Sequence, residues 1–471
     1  GPMGDSAVYL LQAREIAHGT FGTPAQLAFS PLYGYVLALL TGGEPSLLPI
    51  VLQLAVGVLN VWLMYRLTRR FFDEPTAITS ASLMVGYAAL LFLESKLLSE
   101  TLGLSLALLC MLAFCPKPDG ERSRGAAFAA GVVMALAVLM RASMVFCLPM
   151  FALCTLPPAG ERLTAGFYER LRHALLLGLG ACLVLSANGL WNRANSGLFV
   201  PVIMVSSTLE KSAQHDWNGS ILSYGSADKI PSPFDVVKQA AETMARAPAS
   251  DDAPSLAQRL AHFNIAGFIR GAPGKLLETF QTRETFHEYG FLGERDSLPV
   301  LRALPVSVSA LAVLAALGVW ALWRAGRGRE LWLLAPLLLG TLATTTLYHP
   351  SSRYRLPLII PLLVLAGHGA CATLRLPSRL RPYVGGVAAV AVLALTIRFE
   401  AVTLRNRPLW LLELAFSSFE AGEFDAAHAY ARQAQSLAPR DPVIQKRSDL
   451  LFEVLAQQQR VEQAAPGVRP P

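Results

Sequence analysis

Ten apolar runs of about 16 to 23 residues constrain what this 471-residue chain can fold into. A helix needs about 20 residues to cross the hydrocarbon core of a bilayer, and these runs approach that length. Hydrophobic residues make up 53% of the chain and charged residues only 15%. This is more apolar side chain than a fold surrounded by water could bury. The composition therefore predicts an all-α, polytopic membrane protein. The predicted spans are residues 46–66, 75–93, 97–115, 125–140, 142–157, 174–190, 301–323, 331–348, 356–374 and 383–398.

Basic residues gather in alternate loops of this pattern. The loops after the first, third, fifth, seventh and ninth spans contain Arg66, Arg69 and Arg70; Lys117, Arg122 and Arg124; Arg162, Arg170 and Arg172; Arg324, Arg327 and Arg329; and Arg375, Arg379 and Arg381. By the positive-inside rule these loops are cytoplasmic. The opposite side then receives the N-terminal stretch, the loop 191–300, the turn 348–355 and the C-terminal tail. We expect the protein to lie in the inner membrane of a bacterium.

Several other classes of protein find no support in the sequence. The formal charge of +7 is divided among these short loops, so nucleic-acid binding is not expected. The six cysteines all lie in apolar runs without Cys-x-x-Cys or Cys/His spacing, which indicates packing rather than a zinc or disulfide framework. Phosphate-binding glycine loops and metalloprotease motifs are missing. We expect no cofactor, although a cation between two of the acidic residues discussed below stays an open alternative.

The first 45 residues precede the first span and begin with a carboxylate, Asp5. Val8 and Leu11 share the segment with Gln12 and Arg14, which predicts an interfacial amphipathic helix that lies on the membrane. Residues 31–41 are apolar but too short to span, so we expect a re-entrant or surface-lying helix. The chain starts at Gly1-Pro2-Met3 without a visible signal peptide, and we expect a preceding span to be missing.

Two hydrophilic regions complete the domain plan, which reads 1–45 external segment, 46–190 spans, 191–300 large external loop, 301–399 spans and 400–471 tail. The loop carries Trp217, a possible glycosylation acceptor at Asn218 and an aromatic cluster at 285–289. It is predicted either to cap an acceptor site or to be a flexible insert. The tail spacing fits one tetratricopeptide unit that would bind a protein partner, or else a plain helical hairpin.

Ionisable residues avoid the middles of the spans and collect at their external ends. A transporter usually places such groups near the membrane midplane, so this distribution favours chemistry at one membrane surface. Each residue also has a plainer interpretation: Glu100 stabilises a helix N-terminus, Arg141 contacts a lipid headgroup, and Arg353 and Arg355 extend toward headgroups. Guanidinium groups also bind phosphate oxygens well, which would make an anionic lipid their ligand.

Together these stretches resemble the GT-C glycosyltransferases, in the branch of protein O-mannosyltransferase-like enzymes and lipid A aminoarabinose transferases. The resemblance is carried over residues 1–400 by Asp5–Tyr9, Ser30-Pro31-Leu32-Tyr33, Leu98-Ser99-Glu100-Thr101, Leu139-Met140-Arg141-Ala142 and His349–Pro357. It implies that a sugar on a polyprenyl phosphate is transferred, with inversion, to an acceptor outside the cytoplasm. The acceptor is a protein, a glycan or a lipid.

The same resemblance assigns roles to single residues. It makes Asp5 the catalytic carboxylate, Glu100 the second acidic position and Arg353 the contact to the lipid phosphate. Further substrate contacts are expected from Arg141, Tyr9, Tyr33, His349, Tyr354 and Arg355. Ser30 departs from the aminoarabinose branch, which has a lysine there, and this makes a lipid A sugar donor less expected. One phosphate contact is then unassigned.

Elementary chemistry agrees with this assignment. An acceptor hydroxyl is a weak nucleophile, and a positioned carboxylate base accelerates its attack by roughly 10²- to 10⁴-fold. The departing phosphate is a stable anion that needs a cation rather than an acid. Two other functions stay open: a flippase or other transporter for lipid-linked sugars, which requires a polar path across the membrane, and a non-catalytic anchor for the tail.

Overall fold

The computed structural model describes residues 5–116, 123–155, 165–202, 238, 241–242, 265–280, 291, 294–295, 298–348, 351–405, 407–420 and 423–464. Every regular element in these residues is helical, which confirms the all-α class. Trp217, the Asn218 acceptor, the 285–289 cluster and His349 lie outside the described residues.

The described residues form nineteen α-helices, numbered here in chain order. Their bounds are α1 Asp5–Ala17, α2 Pro24–Ala28, α3 Pro31–Thr41, α4 Leu48–Thr68, α5 Glu74–Val85, α6 Ala88–Glu94, α7 Glu100–Phe114, α8 Arg124–Met140, α9 Cys147–Thr155, α10 Ala165–Ser196, α11 Ile265–Thr279, α12 Pro299–Arg302, α13 Val308–Arg324, α14 Gly328–Leu347, α15 Leu356–Leu374, α16 Arg381–Arg405, α17 Arg407–Glu420, α18 Phe424–Leu437 and α19 Pro442–Ala464. A 3₁₀ helix at Ala142–Phe146 leads into α9.

Among the described residues, four helices are long and apolar enough to cross a bilayer unaided: α4, most of α10, α14 and α15. The pair α5 and α6 makes a fifth if its bent halves form one span, and six shorter apolar stretches accompany them. Large apolar side chains on α4 and α10, such as Trp62 and Leu183, are exposed where lipid would surround the protein. The protein is therefore a polytopic membrane protein, whereas the number of ten spans stays a prediction.

The predicted span 75–93 is wrong as one continuous helix, because the chain bends by 57° between α5 and α6. The break falls at Gly86, whose carbonyl accepts a hydrogen bond from the Val306 amide at 3.1 Å. A Cβ on Gly86 would lie 2.6 Å from the Val306 side chain. A separate segment thus enters at the break and satisfies a backbone group that the helix leaves open.

Three other predicted boundaries also need correction. The predicted span 142–157 consists of the 3₁₀ turn followed by the short helix α9. The predicted span 301–323 is divided into α12 and α13 by an irregular stretch, and α13 begins only at Val308, where the Ser307 hydroxyl accepts from the Ala310 amide. Span 174–190 is the central part of the longer helix α10.

Helices α13 and α15 pack closely against each other in the core. A Cβ on Gly318 would fall 2.1 Å from the Leu365 carbonyl oxygen, and one on Gly369 would fall 2.0 Å from that of Leu314. Glycine therefore lets the two backbones touch, as small residues do between membrane helices. Helix α15 is buried over most of its length, which makes it a rigid support for the turn that precedes it.

The tail has a hydrophobic core of its own. Buried side chains from α17, α18 and α19 pack together, among them Leu411, Ala427, Ala431 and Leu451. This arrangement fits the predicted helical hairpin with a following helix, while its identity as a tetratricopeptide unit stays a prediction.

Candidate active site

Four charged side chains from distant parts of the sequence meet at one end of the helices. Arg353 Nη1 lies 2.6 Å from Asp5 Oδ2, and its Nε donates to Glu100 Oε1. Arg141 Nη1 lies 2.5 Å from the same Glu100 oxygen. Two carboxylates and two guanidinium groups alternate in this cluster, hereafter the carboxylate–arginine cluster. Its formal charges balance, which a site of low dielectric constant requires.

Exposure varies systematically across the carboxylate–arginine cluster. The side chains of Glu100 and Arg141 are 1% and 4% exposed, whereas those of Asp5 and Arg353 are 14% and 12% exposed. The inner pair is therefore closed to solvent, and the outer pair is partly open to it. Arg353 also contacts Glu100 of the inner pair, so both carboxylates share its guanidinium.

Helix α1 presents Asp5 because its first two turns are fixed to the segment before α7. Ser6 Oγ donates to the Leu97 carbonyl at 3.1 Å, and the hydroxyls of Tyr9 and Ser99 lie 3.3 Å apart. Asp5 is the first residue of its helix, where a negative charge is favoured by the unpaired backbone N–H groups. These contacts place Asp5 beside Glu100, which likewise begins its helix.

Arg141 sits where helix α8 ends and the chain turns into the 3₁₀ helix. Its Nη2 donates to the Arg353 carbonyl at 2.9 Å, so Arg141 contacts both Glu100 and the backbone of the turn. Gly103 makes room for it, since a Cβ there would lie 2.8 Å from Arg141 Cδ. Ser30 Oγ accepts from the Ala142 amide at 3.3 Å and supports the same bend.

The two predicted tyrosines form the wall beneath the cluster. Tyr9 and Tyr33 pack edge to face with ring centroids 4.9 Å apart, and both are buried. Burial raises the pKa of Tyr9 far above its usual range, and the charges of Asp5 and Glu100 raise it further against the opposing effect of Arg353. Tyr9 is thus a neutral hydrogen-bonding group. Tyr33 donates to Gln53 Oε1 at 2.5 Å and supports Tyr9 from below.

The remaining predicted site residues follow Tyr348 in the chain. Tyr354 is half-buried beside Tyr348, with ring centroids 6.3 Å apart. Arg355 is buried, and its Nη1 donates to the Thr279 carbonyl on α11 at 3.2 Å. Arg355 therefore contacts α11 in addition to its other interactions. The structure brings Asp5, Glu100, Arg141, Arg353 and Tyr9 together, with Tyr33 behind them, while the roles of all predicted site residues stay predictions.

Three supporting residues escaped the sequence analysis as parts of the site. Ser99 and Gln53 hold Tyr9 and Tyr33, and Gly103 accommodates Arg141. Only Ser99 lies within a recognised stretch, next to Glu100. No group of three or more potential metal ligands was found among the described residues. In these residues the two acidic groups of the site are instead held by guanidinium groups.

Comparison with known proteins yields distant resemblances in fold only. No protein-family model matches the sequence, and no curated protein matches it. Among solved structures, ArnT from Cupriavidus metallidurans, crystallised with undecaprenyl phosphate, is 16% identical with a TM-score of 0.41, over 97% of this chain and 71% of that one. The Archaeoglobus fulgidus oligosaccharyltransferase, tethered to an acceptor peptide containing the NVT sequon, is 13% identical with a TM-score of 0.39, over 90% of this chain and 55% of that one. We draw no function from either similarity.

Proposed function

We propose that this protein is an integral membrane glycosyltransferase that moves a sugar from a polyprenyl phosphate to a hydroxyl group outside the cytoplasm. The observation that carries the proposal is the shared guanidinium of Arg353, which lies between the open carboxylate Asp5 and the closed carboxylate Glu100. A carboxylate that could act as a base and a guanidinium that could bind an anion stand side by side at one end of the helices. The resemblance of the sequence to GT-C enzymes gives this pair its assignment.

Arg353, in the outer pair of the cluster, is suited to the cleavage of the bond between sugar and phosphate. As the bond between the anomeric carbon and the phosphate oxygen lengthens, negative charge grows on the phosphate, and Arg353 stabilises it through charge-assisted hydrogen bonds. The leaving group needs no proton because the phosphate it becomes is a stable anion. Arg141 and Glu100 keep the guanidinium in place, so little reorganisation is needed during the reaction.

Asp5 supplies the other half of the chemistry. The acceptor oxygen attacks the anomeric carbon and its proton passes to the Asp5 carboxylate, so the new glycosidic bond forms as the phosphate departs. A donor phosphate that binds Arg353 competes with Asp5 for the guanidinium, and this competition releases the carboxylate to act as a base. One base without a second carboxylate placed as nucleophile favours single displacement with inversion of the anomeric centre.

Transfer from a synthetic donor tests the proposal. The purified protein in detergent is given a panel of polyprenyl-phosphate hexoses, with a membrane extract as the source of acceptors, and released polyprenyl phosphate is measured. Asp5→Asn should lower turnover by roughly 10²- to 10⁴-fold, because the amide that replaces the carboxylate cannot accept the proton. Near wild-type turnover in this variant would exclude Asp5 as the base.

The chain offers a matched control. Asp73 also pairs with an arginine, Arg375, but at the opposite ends of the helices from the carboxylate–arginine cluster. Asp73→Asn therefore removes a similar ion pair away from the site and should leave turnover within about twofold, since exposed pairs contribute little. If both variants lose activity equally, the effect of Asp5→Asn reports damage to the fold rather than chemistry.

A further inference from the structure

Helix α11, which lies within the large external loop, holds a buried lysine against the end of helix α14. Lys275 is only 1% exposed, and its Nζ donates to the carbonyls of Thr346 at 2.8 Å and Tyr348 at 3.2 Å. The last carbonyls of a helix have no partner within the helix and carry partial negative charge. Lys275 therefore caps the C-terminus of α14 from a different part of the chain.

Arg355 makes the reciprocal contact. It follows the turn after α14, and it donates to the carbonyl of Thr279, the last residue of α11. Each helix thus receives a cation at its C-terminus from the other segment. Tyr348 and Arg355, which lie on either side of Arg353 in the chain, are therefore both held to α11.

We propose that Lys275 is a positioning residue for Arg353, and that helix α11 sets the place of the anion-binding guanidinium through this pair of reciprocal caps. The inference rests on the proposed function in that Arg353 is taken to bind the donor phosphate. Lys275 lies on a different element and acts through the backbone of the turn. Arg141 holds the same turn by its bond to the Arg353 carbonyl.

The chemistry of Lys275 favours this role over general packing. Burial lowers its pKa to about 8, with Glu278 acting in the opposite direction, so the side chain is protonated near neutral pH. An ammonium group has three N–H donors, and Lys275 donates to two carbonyls at the C-terminal end of α14. A buried cation of this kind is costly unless its donors are used, which ties the place of α11 to the place of the turn.

Binding of a synthetic polyprenyl monophosphate to the full chain in detergent tests the inference. Lys275→Met keeps the length of the side chain but donates no hydrogen bond, and it should weaken binding about tenfold, the equivalent of about one lost charged hydrogen bond. Lys275→Arg restores donors and should recover binding to within about threefold of wild type. In an Arg353→Leu background, Lys275→Met should add less than about twofold, because two residues that act through one group are not additive.

Hydrogen exchange gives a second measurement that needs no ligand. Amides at 346–355 should exchange faster in Lys275→Met than in wild type, whereas those within α15 should not change. The control is Lys446→Met, which removes an exposed lysine in the tail and should alter neither binding nor exchange.

Two results would overturn the inference. Unchanged exchange at 346–355 in Lys275→Met would show that Lys275 does not hold the turn, whatever the protein does. If the fold-loss of binding in the double variant equals the product of the losses caused by Lys275→Met and Arg353→Leu alone, Lys275 acts independently of Arg353. If instead the wild-type chain binds no polyprenyl phosphate while exchange at the turn responds as expected, the proposed function fails and the fastening of the turn by α11 stands.

Discussion

At the scale of the residue, one guanidinium joins the two carboxylates of the carboxylate–arginine cluster. Arg353 contacts Asp5, which is partly open, and Glu100, which is closed to solvent. Buried charges are tolerated only when each has a partner, so removal of one member leaves the others uncompensated. Glu100 forms ion pairs with two arginines, Arg141 and Arg353. These contacts go beyond the favourable interaction with its helix N-terminus that its position in the sequence also predicts.

Neutralisation of Glu100 separates these two roles. Glu100→Gln keeps the shape of the side chain but leaves Arg141 and Arg353 without their shared carboxylate, and it should lower the free energy of unfolding by about 3 to 5 kcal/mol. Glu74 is the matched control, because it lies in the first turn of α5 but is exposed. Glu74→Gln should lower it by about 0.3 to 1 kcal/mol, the usual contribution of a charge at a helix end.

Thermal unfolding of both variants in the same detergent provides the comparison. Equal, small shifts in Tm would mean that Glu100 serves only its helix and that the contacts to Arg141 and Arg353 are energetically idle. A large shift for Glu100→Gln alone would support the carboxylate–arginine cluster as a unit whose inner half positions its outer half.

At the scale of the element, glycine decides how closely the helices approach. Gly180 on α10 lies against α8, and a Cβ there would stand 2.4 Å from the Phe128 carbonyl oxygen. Gly178, two residues earlier on the same helix, has no atom within 4 Å of such a Cβ. The pair therefore compares a packed and an open position with the same helix propensity.

Leucine at these two positions should have opposite consequences. Gly180→Leu forces α8 and α10 apart and should lower the free energy of unfolding by about 1 to 3 kcal/mol or more, as overpacking does. Gly178→Leu should be neutral or slightly stabilising, because leucine favours a helix over glycine by roughly 1 kcal/mol. Thermal unfolding checks both, and a comparable loss in Gly178→Leu would mean that this face of α10 is also packed.

The sequence predicted where helices form better than it predicted where they bend or break. Length and hydropathy predicted helices wherever the chain is apolar, but the bend at Gly86 depends on Val306, which arrives from a segment 220 residues later. The four charged residues of the site were predicted because each lies in a stretch that resembles a known family. Lys275 was not, since its partners are main-chain carbonyls and a carbonyl leaves no mark in a sequence.

At the scale of the whole molecule, charge is divided between the two ends of the same helices. Helix α15 begins after Arg355 and is followed by Arg375, which pairs with Asp73. Helix α7 begins at Glu100 and ends near Arg70, which donates to the Cys115 carbonyl at 2.6 Å. The 19 residues of α15 extend over about 28 Å, close to the thickness of a bilayer core. The carboxylate–arginine cluster and the basic residues Arg70 and Arg375 therefore lie at opposite ends of these helices.

With this separation, the positive-inside rule predicts on which side of the membrane the carboxylate–arginine cluster lies. The basic end should face the cytoplasm, so Ala325→Cys, at an exposed position there, should react with a membrane-impermeant maleimide only in inverted vesicles. Thr20→Cys, exposed beyond α1 near the site end, should react in intact cells. The wild-type chain, with its own six cysteines, supplies the background. Because a carboxylate on the cytoplasmic face meets a different set of acceptors, the reverse labelling pattern would refute transfer outside the cytoplasm even if Asp5 proved essential for turnover.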